Sequence, residues 1–303
     1  MATDLTKEQG VDRAGRVNSA REELGNVEWL RRLVAAASFH TGRRVAHDIR
    51  ARGVSASEVT SAVESTWSQF IALLRDLEPA DGNRRVPHLE WTVSETAAHV
   101  VTTVRRSVDL RRAITADDLG TLNDLCIEEF AERDPHVIAD LLDRELSDAG
   151  AGLRLMRVLW ALRVGRWLSF ELHAGVKGDF LTAASHLVVD FLAHGYDIAT
   201  AVDRPWTIDP THASVAVRGC LPAAWPFIHE DVLHGPEQRV AVRLPDSHAL
   251  DFRVGDGRFA MRSIRASASH ATVDPVQLYL AICGRDTARD PMAARIGNWY
   301  RPI

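Results

Sequence analysis

Hydrophobic positions in the first two thirds of the chain recur at the three- and four-residue spacing of an amphipathic helix. The clearest run lies between residues 56 and 77, where the regularly spaced apolar positions are Val59, Val63, Trp67, Phe70, Ile71 and Leu74. The same spacing predicts a helix that starts near Val27 and further helices over residues 92–113, 117–133, 137–164 and 182–202. Long helices without strand-like alternation predict a helical bundle that extends to about residue 203.

One of these helices has a recognisable beginning. Thr92 and Glu95 form a T-x-x-E capping box, in which each side chain bonds to the backbone N–H of the other residue. Trp91 directly precedes the box, where a hydrophobic residue can act as a staple for the helix entry. We therefore expect the helix to start at about residue 92 and expect Glu95 to act as a cap.

The pattern changes after residues 201–210, a segment with two prolines that reads as a linker. Apolar positions then alternate with a period of two along residues 240–244, 250–254 and 259–261, and residues 269–274 read as a further strand. Helices are expected over residues 213–233 and 275–285. The sequence predicts an α+β protein with a flexible N-terminus (1–25), a helical bundle (26–203) and a small domain with a mostly antiparallel sheet (204–303).

Composition and charge narrow the function classes. A net charge of −5 over 303 residues, with arginines and acids interleaved, gives no basic stripe, so we expect no nucleic-acid partner. No run of 18 apolar residues and no apolar leader occur, so we expect no membrane partner and a cytoplasmic location. The cysteines Cys126, Cys220 and Cys283 are odd in number and form no CxxC pair, which argues against both disulfides and a cysteine zinc site.

The candidate chemistry lies in two of the predicted helices. Asp190 and His194 are four residues apart, so they share one face of their helix about 6 Å apart. His99 lies in another helix. Two imidazoles and one carboxylate would form half of a metal coordination sphere and leave the other half open, as catalytic metals require. We therefore take His99, Asp190 and His194 as candidate metal ligands and catalytic residues.

Each candidate also has a plainer interpretation. A single His99 near a helix start is often an ordinary half-buried histidine, and Asp190 with His194 can be a surface hydrogen bond. The helix of Asp190 is nearly apolar all round, which predicts burial, and a buried charge must be paired or metal-bound. His186, one turn earlier, is either an additional ligand or a surface residue, and we favour the surface. Asp197 either orients an imidazole or caps its own helix.

These motifs together resemble a known family. A helix opened by tryptophan that carries a histidine (WTVSETAAHV, residues 91–100), followed by acid-x-x-x-His-Gly-aromatic-Asp-Ile-Ala in residues 190–199, resembles the mycothiol-dependent maleylpyruvate isomerase family. Its members have a DinB-like four-helix bundle followed by a small sterol-carrier-like domain. Residues 239–254 and 280–286 are similar to that second domain. The resemblance extends over about residues 55–290.

The resemblance implies a divalent metal, with zinc as the expected ion, bound by His99, Asp190 and His194. It also implies mycothiol as a thiol cosubstrate, a small-molecule substrate and an actinobacterial source. The family usually has Glu at the position of Asp190, whose side chain is shorter by one methylene. Arg106 faces the same side as His99 and is a candidate for holding a carboxylate-bearing substrate, although we favour a surface role. Arg133 and Arg285 are similar candidates for contacts with the cofactor.

The leading hypothesis is a mycothiol-dependent transferase or isomerase. The metal would present the thiol as a thiolate for addition–elimination, or for transfer or exchange on a small metabolite such as a natural-product intermediate. A binding module that holds an apolar ligand in the sterol-carrier-like domain is the first alternative. The second is a DinB-type protein whose site has decayed through the change from Glu to Asp. The sequence leaves the choice of reaction, the acceptor and the oligomeric state open.

Overall fold

The structure is a computed structural model of the 303-residue chain. It describes residues 48–49, 53–87, 89–108, 127, 130–161, 169–173, 176–285 and 289–301. The predicted N-terminal segment (1–25), the helix near Val27 and Cys126 lie outside the described residues. So does most of the predicted 117–133 helix, of which Ile127 is described as helical and residues 130–133 are described as not helical. The next helix starts at Pro135, because the residue before a proline disfavours the helical conformation.

Four long helices form the first part of the described chain. They are α1 (Ala56–Arg75), α2 (Val93–Val108), α3 (Pro135–Ala161) and α4 (Phe180–Val202). Helices α1 and α2 each pack against both α3 and α4. Phe191 of α4 lies between Trp67 and Phe70 of α1, with ring centroids 5.3 and 5.7 Å apart. The predicted bundle is confirmed, and the long apolar side chains of α1 and α4 form its core.

The helix starts follow the capping signals in the sequence. Thr92 N–H donates to Glu95 Oε2 at 2.7 Å, and Glu95 N–H donates to Thr92 Oγ1 at 3.3 Å, which confirms the predicted capping box. Ser55 and Glu58 form a second box at the start of α1. These bonds satisfy N–H groups that have no partner within the first turn of a helix.

The bundle also contains strands, which the sequence analysis did not predict. These are β1 (Asp48–Ile49), β2 (Ser169–His173) and β3 (Val176–Asp179), arranged in the order β1–β3–β2. The expectation of helices alone up to residue 203 is therefore wrong. Strands of two to five residues are too short to show alternation, and β1 pairs with a strand more than 120 positions away.

The second part of the chain contains a four-stranded sheet. Its strands are β4 (Gln238–Arg243), β5 (Ala249–Gly255), β6 (Arg258–Ile264) and β7 (Ala271–Thr272). The order is β6–β5–β4–β7, with antiparallel pairing except between β4 and β7. Val240, Phe252 and Met261 are buried on one face of this sheet. The predicted α+β class, with helices first and a mostly antiparallel sheet second, is confirmed.

Helices of the second part connect the sheet to the bundle. They are α5 (Pro210–Gly219), α6 (Glu230–Leu233), α7 (Pro275–Ile282) and α8 (Pro291–Gly297), with 3-10 turns at Asp81–Asn83 and Leu221–Phe227. Residues 213–233, predicted to be helical, are divided between α5, the second 3-10 turn and α6, because Pro222 and Pro226 interrupt a regular α-helix. Helix α5 packs against α4 and α7, and α8 packs against α7. Among the described residues, no helix is long and apolar enough to cross a bilayer.

A buried arginine ties the two parts of the chain together. The side chain of Arg218 in α5 is 1% exposed and donates to Glu58 Oε1 at 3.0 Å. It also bonds to the carbonyl of Gly53 and lies 3.8 Å from Asp246 in the turn after β4. Because a buried guanidinium needs several acceptors, Arg218 fixes the start of α1 against the sheet. The sequence analysis did not identify this residue.

Gly195 in α4 is required because Trp206, in the segment after this helix, packs closely against it. A Cβ at this position would overlap the indole ring of Trp206. We expect Gly195→Ala to lower the free energy of unfolding by about 1–3 kcal/mol, the usual cost of overpacking. Gly150→Ala in α3 is the matched control, because a Cβ there meets only a side-chain nitrogen of Arg154 at 3.6 Å. Alanine should stabilise that helix by up to about 1 kcal/mol. Urea denaturation measures both, and equal effects would contradict the packing explanation.

Candidate metal centre

Two buried histidines from different helices meet inside the bundle. His99 of α2 is 5% exposed and His194 of α4 is 8% exposed. Their ring centroids are 5.0 Å apart, and the rings meet edge to face at 81°. Helices α2 and α4 pack directly, so this approach follows from the bundle itself. The structure therefore brings together two of the three predicted ligands, which lie 95 positions apart in the sequence.

A third ring covers the pair. The indole of Trp91 lies 4.9 Å from the ring of His99 and 6.5 Å from that of His194. Trp91 is half-buried. The sequence pattern predicts only a helix staple for Trp91, because its distance to α4 depends on tertiary packing. In the structure it forms an aromatic wall beside both imidazoles, which limits access of water to them.

The orientation of His194 is fixed by a buried carboxylate. His194 Nδ1 lies 3.3 Å from Oδ2 of Asp197, whose side chain is 2% exposed. Burial raises the pKa of Asp197, but hydrogen bonds from His194 and Arg285 outweigh it and hold that pKa below its usual range. An ionised Asp197 accepts a hydrogen bond from Nδ1–H of His194, so Nε2 is the nitrogen that can bind a metal. Asp197 thus has the orienting geometry considered for it from sequence.

Arg285 completes this buried chain from the end of α7. Its Nε donates to Asp197 Oδ1 at 3.1 Å, and one Nη donates to Asp197 Oδ2 at 3.0 Å. The other Nη donates to the carbonyl of Cys283 at 2.6 Å. Arg285 was predicted to contact a cofactor, whereas the structure gives it protein partners. Its geometry is that of a positioning residue that acts through Asp197 on His194.

The third predicted ligand, Asp190, has a histidine neighbour on its own helix. Asp190 is 8% exposed, and its Oδ2 lies 3.6 Å from Nδ1 of His186 without a hydrogen bond among the described residues. No set of three His, Cys, Asp or Glu side chains within the described ranges has a metal-binding arrangement. Asp190 has a short side chain and lies one turn before His194, which is consistent with the lack of such an arrangement among the described residues. The donor types and their burial fit a two-histidine, one-carboxylate site, but the three-ligand cluster stays a prediction.

Arg133 and Arg106 are the other two arginines predicted to contact a substrate or cofactor. The guanidinium of Arg133 donates to backbone carbonyls of Ile127 at 2.7 Å and of Glu132 at 2.8 Å, and to that of Phe130. These bonds hold the segment that precedes α3. Only the backbone of Arg106 is described, within α2. A role for either residue towards a substrate or cofactor stays a prediction.

The described cysteines are not reactive thiols. Cys220 and Cys283 are both buried and free. Burial raises the pKa of Cys283 to about 11 and raises that of Cys220 well above its usual value. Both side chains are therefore protonated at neutral pH. Neither of these two described cysteines therefore supplies a thiolate at neutral pH.

These features define a helical-bundle protein with a buried, carboxylate-oriented histidine pair. Residues 63–199 match the family model of the mycothiol maleylpyruvate isomerase N-terminal domain. Over these residues the match confirms the resemblance seen in the sequence. The match includes all three predicted ligands and Asp197 but ends before Arg285. Comparisons with curated proteins and with solved structures give no significant match.

Proposed function

We propose that this chain is a metal-dependent enzyme that uses mycothiol as its thiol cosubstrate. The observation that carries the proposal is the buried contact of His99 with His194, whose Nδ1 is held by Asp197. The match to the mycothiol maleylpyruvate isomerase N-terminal domain supports the choice of thiol. We propose zinc as the ion and the cytoplasm as the location.

His99 and His194 would supply nitrogen ligands, and Asp190 would supply the carboxylate. A divalent ion bound there would allow a coordinated thiol to exist as a thiolate at neutral pH. The protein would contribute the geometry: Asp197 keeps the proton on Nδ1 of His194, and Arg285 keeps Asp197 ionised. Trp91 would exclude water from one side. Water exclusion strengthens each electrostatic interaction in the site.

Two reaction types fit a thiolate held in this way. In the first, the thiolate adds to an activated double bond, the resulting single bond rotates, and the thiolate leaves, which isomerises the substrate. In the second, the thiol is transferred to, or exchanged on, a small metabolite. The shorter Asp190 in place of the usual Glu inclines us towards transfer or exchange. In both, proximity of the bound thiol to its acceptor contributes to the rate.

Turnover with and without each component tests the proposal. We expect purified protein loaded with zinc to consume an activated unsaturated acid, or to form its thiol adduct, only when mycothiol is present. Removal of the metal with a chelator should lower the rate at least a hundredfold, and zinc should restore it. The same rate with metal-free protein, or with mycothiol omitted, would contradict the proposal. The control is Arg204→Gln, a partly exposed position outside the histidine pair.

A further inference from the structure

The four-stranded sheet has one face that is rich in arginine. Alternation along β4, β5 and β6 places the buried apolar residues on one face of the sheet and the charged residues on the opposite face. The pairing register puts Arg239 opposite Arg253, and Asp251 opposite Arg262, on this second face. We call it the arginine face, and its charged members are Arg239, Arg243, Asp251, Arg253, Arg258 and Arg262.

The arginine face has an uneven charge. Its part on β4, β5 and β6 holds five arginines and one acidic residue, Asp251, although the whole chain has a net charge of −5. Arg239 and Arg253 are 57% and 39% exposed. Like charges directly opposite each other destabilise a sheet. Arg253 is paired on both sides, with Arg239 of β4 and Ala260 of β6, so protection of a sheet edge does not explain it. Arg239 lies on β4 outside the short pairing with β7, which joins Val242 and Arg243 to Ala271 and Thr272.

Asp251 orients the side chains of Arg239 and Arg253. Its side chain is 3% exposed, with Oδ1 2.7 Å from Nε of Arg239 and Oδ2 3.2 Å from Nε of Arg253. Burial raises the pKa of Asp251, but the hydrogen bonds from the two arginines outweigh it and keep that pKa low. Each guanidinium contacts Asp251 through the edge that carries Nε, which leaves the N–H groups of its other edges directed away from Asp251. The two guanidinium groups are held on adjacent strands, so they are pre-organised to bind one shared oxyanion.

The uncharged neighbours of the pair are small. Ala241, Ala249, Ala260 and Gly255 are the uncharged positions on this face next to Asp251 and Arg253. Alanine side chains are too short to fill the space between arginines, so the guanidinium groups form the raised part of the surface. No aromatic residue lies on this face of β4, β5 or β6, which argues against stacking of single-stranded nucleic acid.

We propose that the arginine face binds a small soluble phosphate-class anion, such as a phosphate ester or a diphosphate, between Arg239 and Arg253, with Arg258 and Arg262 at the rim. The occupant follows from charge complementarity and from the fixed guanidinium pair. A membrane surface would need neither the pre-oriented pair nor Asp251, and this face carries no large exposed apolar side chain to insert. The site is independent of the histidine pair and of the proposed thiol chemistry.

Calorimetry with pyrophosphate tests the proposal on the full chain. We expect salt-dependent binding to wild type and at least tenfold weaker binding to the double variant Arg239→Gln/Arg253→Gln. Because that variant leaves Asp251 without its partners, Arg258→Gln/Arg262→Gln is the fold-safe variant and should weaken binding several-fold. The matched control is Arg144→Gln/Arg154→Gln, which removes the same charge from exposed positions of α3 and should change binding less than twofold.

Vesicles separate the soluble ligand from a lipid surface. Vesicles of phosphatidylglycerol, compared with phosphatidylcholine, should not sediment with the protein at physiological salt. Pyrophosphate binding that is absent, or equally weakened in the α3 control, would overturn the proposal. Sedimentation with phosphatidylglycerol vesicles in the absence of pyrophosphate binding would overturn it in favour of a membrane contact.

Discussion

Replacement of Arg285 by methionine should lower the free energy of unfolding by about 3–5 kcal/mol, the cost of leaving one buried charge without its partner. Asp197 is 2% exposed, and both of its carboxylate oxygens accept from Arg285. Methionine keeps much of the side-chain volume, so the loss reports the charge. Denaturant unfolding at neutral pH measures it.

Two further variants make this prediction specific. Asp197→Asn/Arg285→Met removes both charges and should recover part of the lost stability, because the buried carboxylate is gone. Arg204→Met removes a partly exposed arginine 3.9 Å from Asp76 and should cost less than about 1 kcal/mol. If Arg285→Met and Arg204→Met have equal effects, Arg285 does not hold Asp197 in the way described.

Loss of either histidine should remove the metal. We expect wild-type protein to hold close to one equivalent of divalent ion after purification, and His99→Ala or His194→Ala to hold less than about a tenth of it. Each substitution deletes one of the three ligands that a catalytic metal needs. Asp197→Asn, which keeps the shape but weakens orientation of His194, should reduce affinity about 10- to 100-fold. Metal analysis with competing chelators measures these values.

A substitution at Asp190 should raise metal affinity, whereas the histidine substitutions should lower it. Asp190→Glu lengthens the side chain by one methylene and should raise metal affinity, since Asp190 does not complete a three-residue cluster in the described part of the structure. Asp190→Asn should lower it. Equal metal content in wild type, Asp190→Glu and Asp190→Asn would show that this carboxylate is not a ligand. His136→Ala, a histidine on α3 that contacts the carbonyl of Leu77, is the control that should keep its metal.

The sequence predicted those features that depend on local spacing. The helical periods gave the bundle, the T-x-x-E motif gave the start of α2, and Asp190 with His194 gave one helix face. Features that depend on distant partners were missed. Asp197 and Arg285 are 88 positions apart, so nothing in the sequence indicated that the arginine would bind the carboxylate rather than a cofactor. The pairing of β1 with β3 and the buried bonds of Arg218 were missed for the same reason.

The position of Asp190 shows a different limit. Four-residue spacing places Asp190 and His194 on the same helix face, and both are buried, as the apolar helix predicted. Sharing a face does not make side chains converge on a point. Asp190 also has His186 as a neighbour, four residues away in the other direction. Rotamer choice and side-chain length decide between these neighbours, and neither follows from the spacing.

Cobalt substitution followed by addition of mycothiol is the most direct test of a thiol-activating centre in this bundle. With Co²⁺ at the histidine pair, we predict a new sulfur-to-metal charge-transfer absorption when mycothiol is added. The absorption should saturate at one thiol per chain and be absent in His194→Ala. A cobalt spectrum that does not change with mycothiol, or that changes equally in His194→Ala, would contradict the assignment of this site.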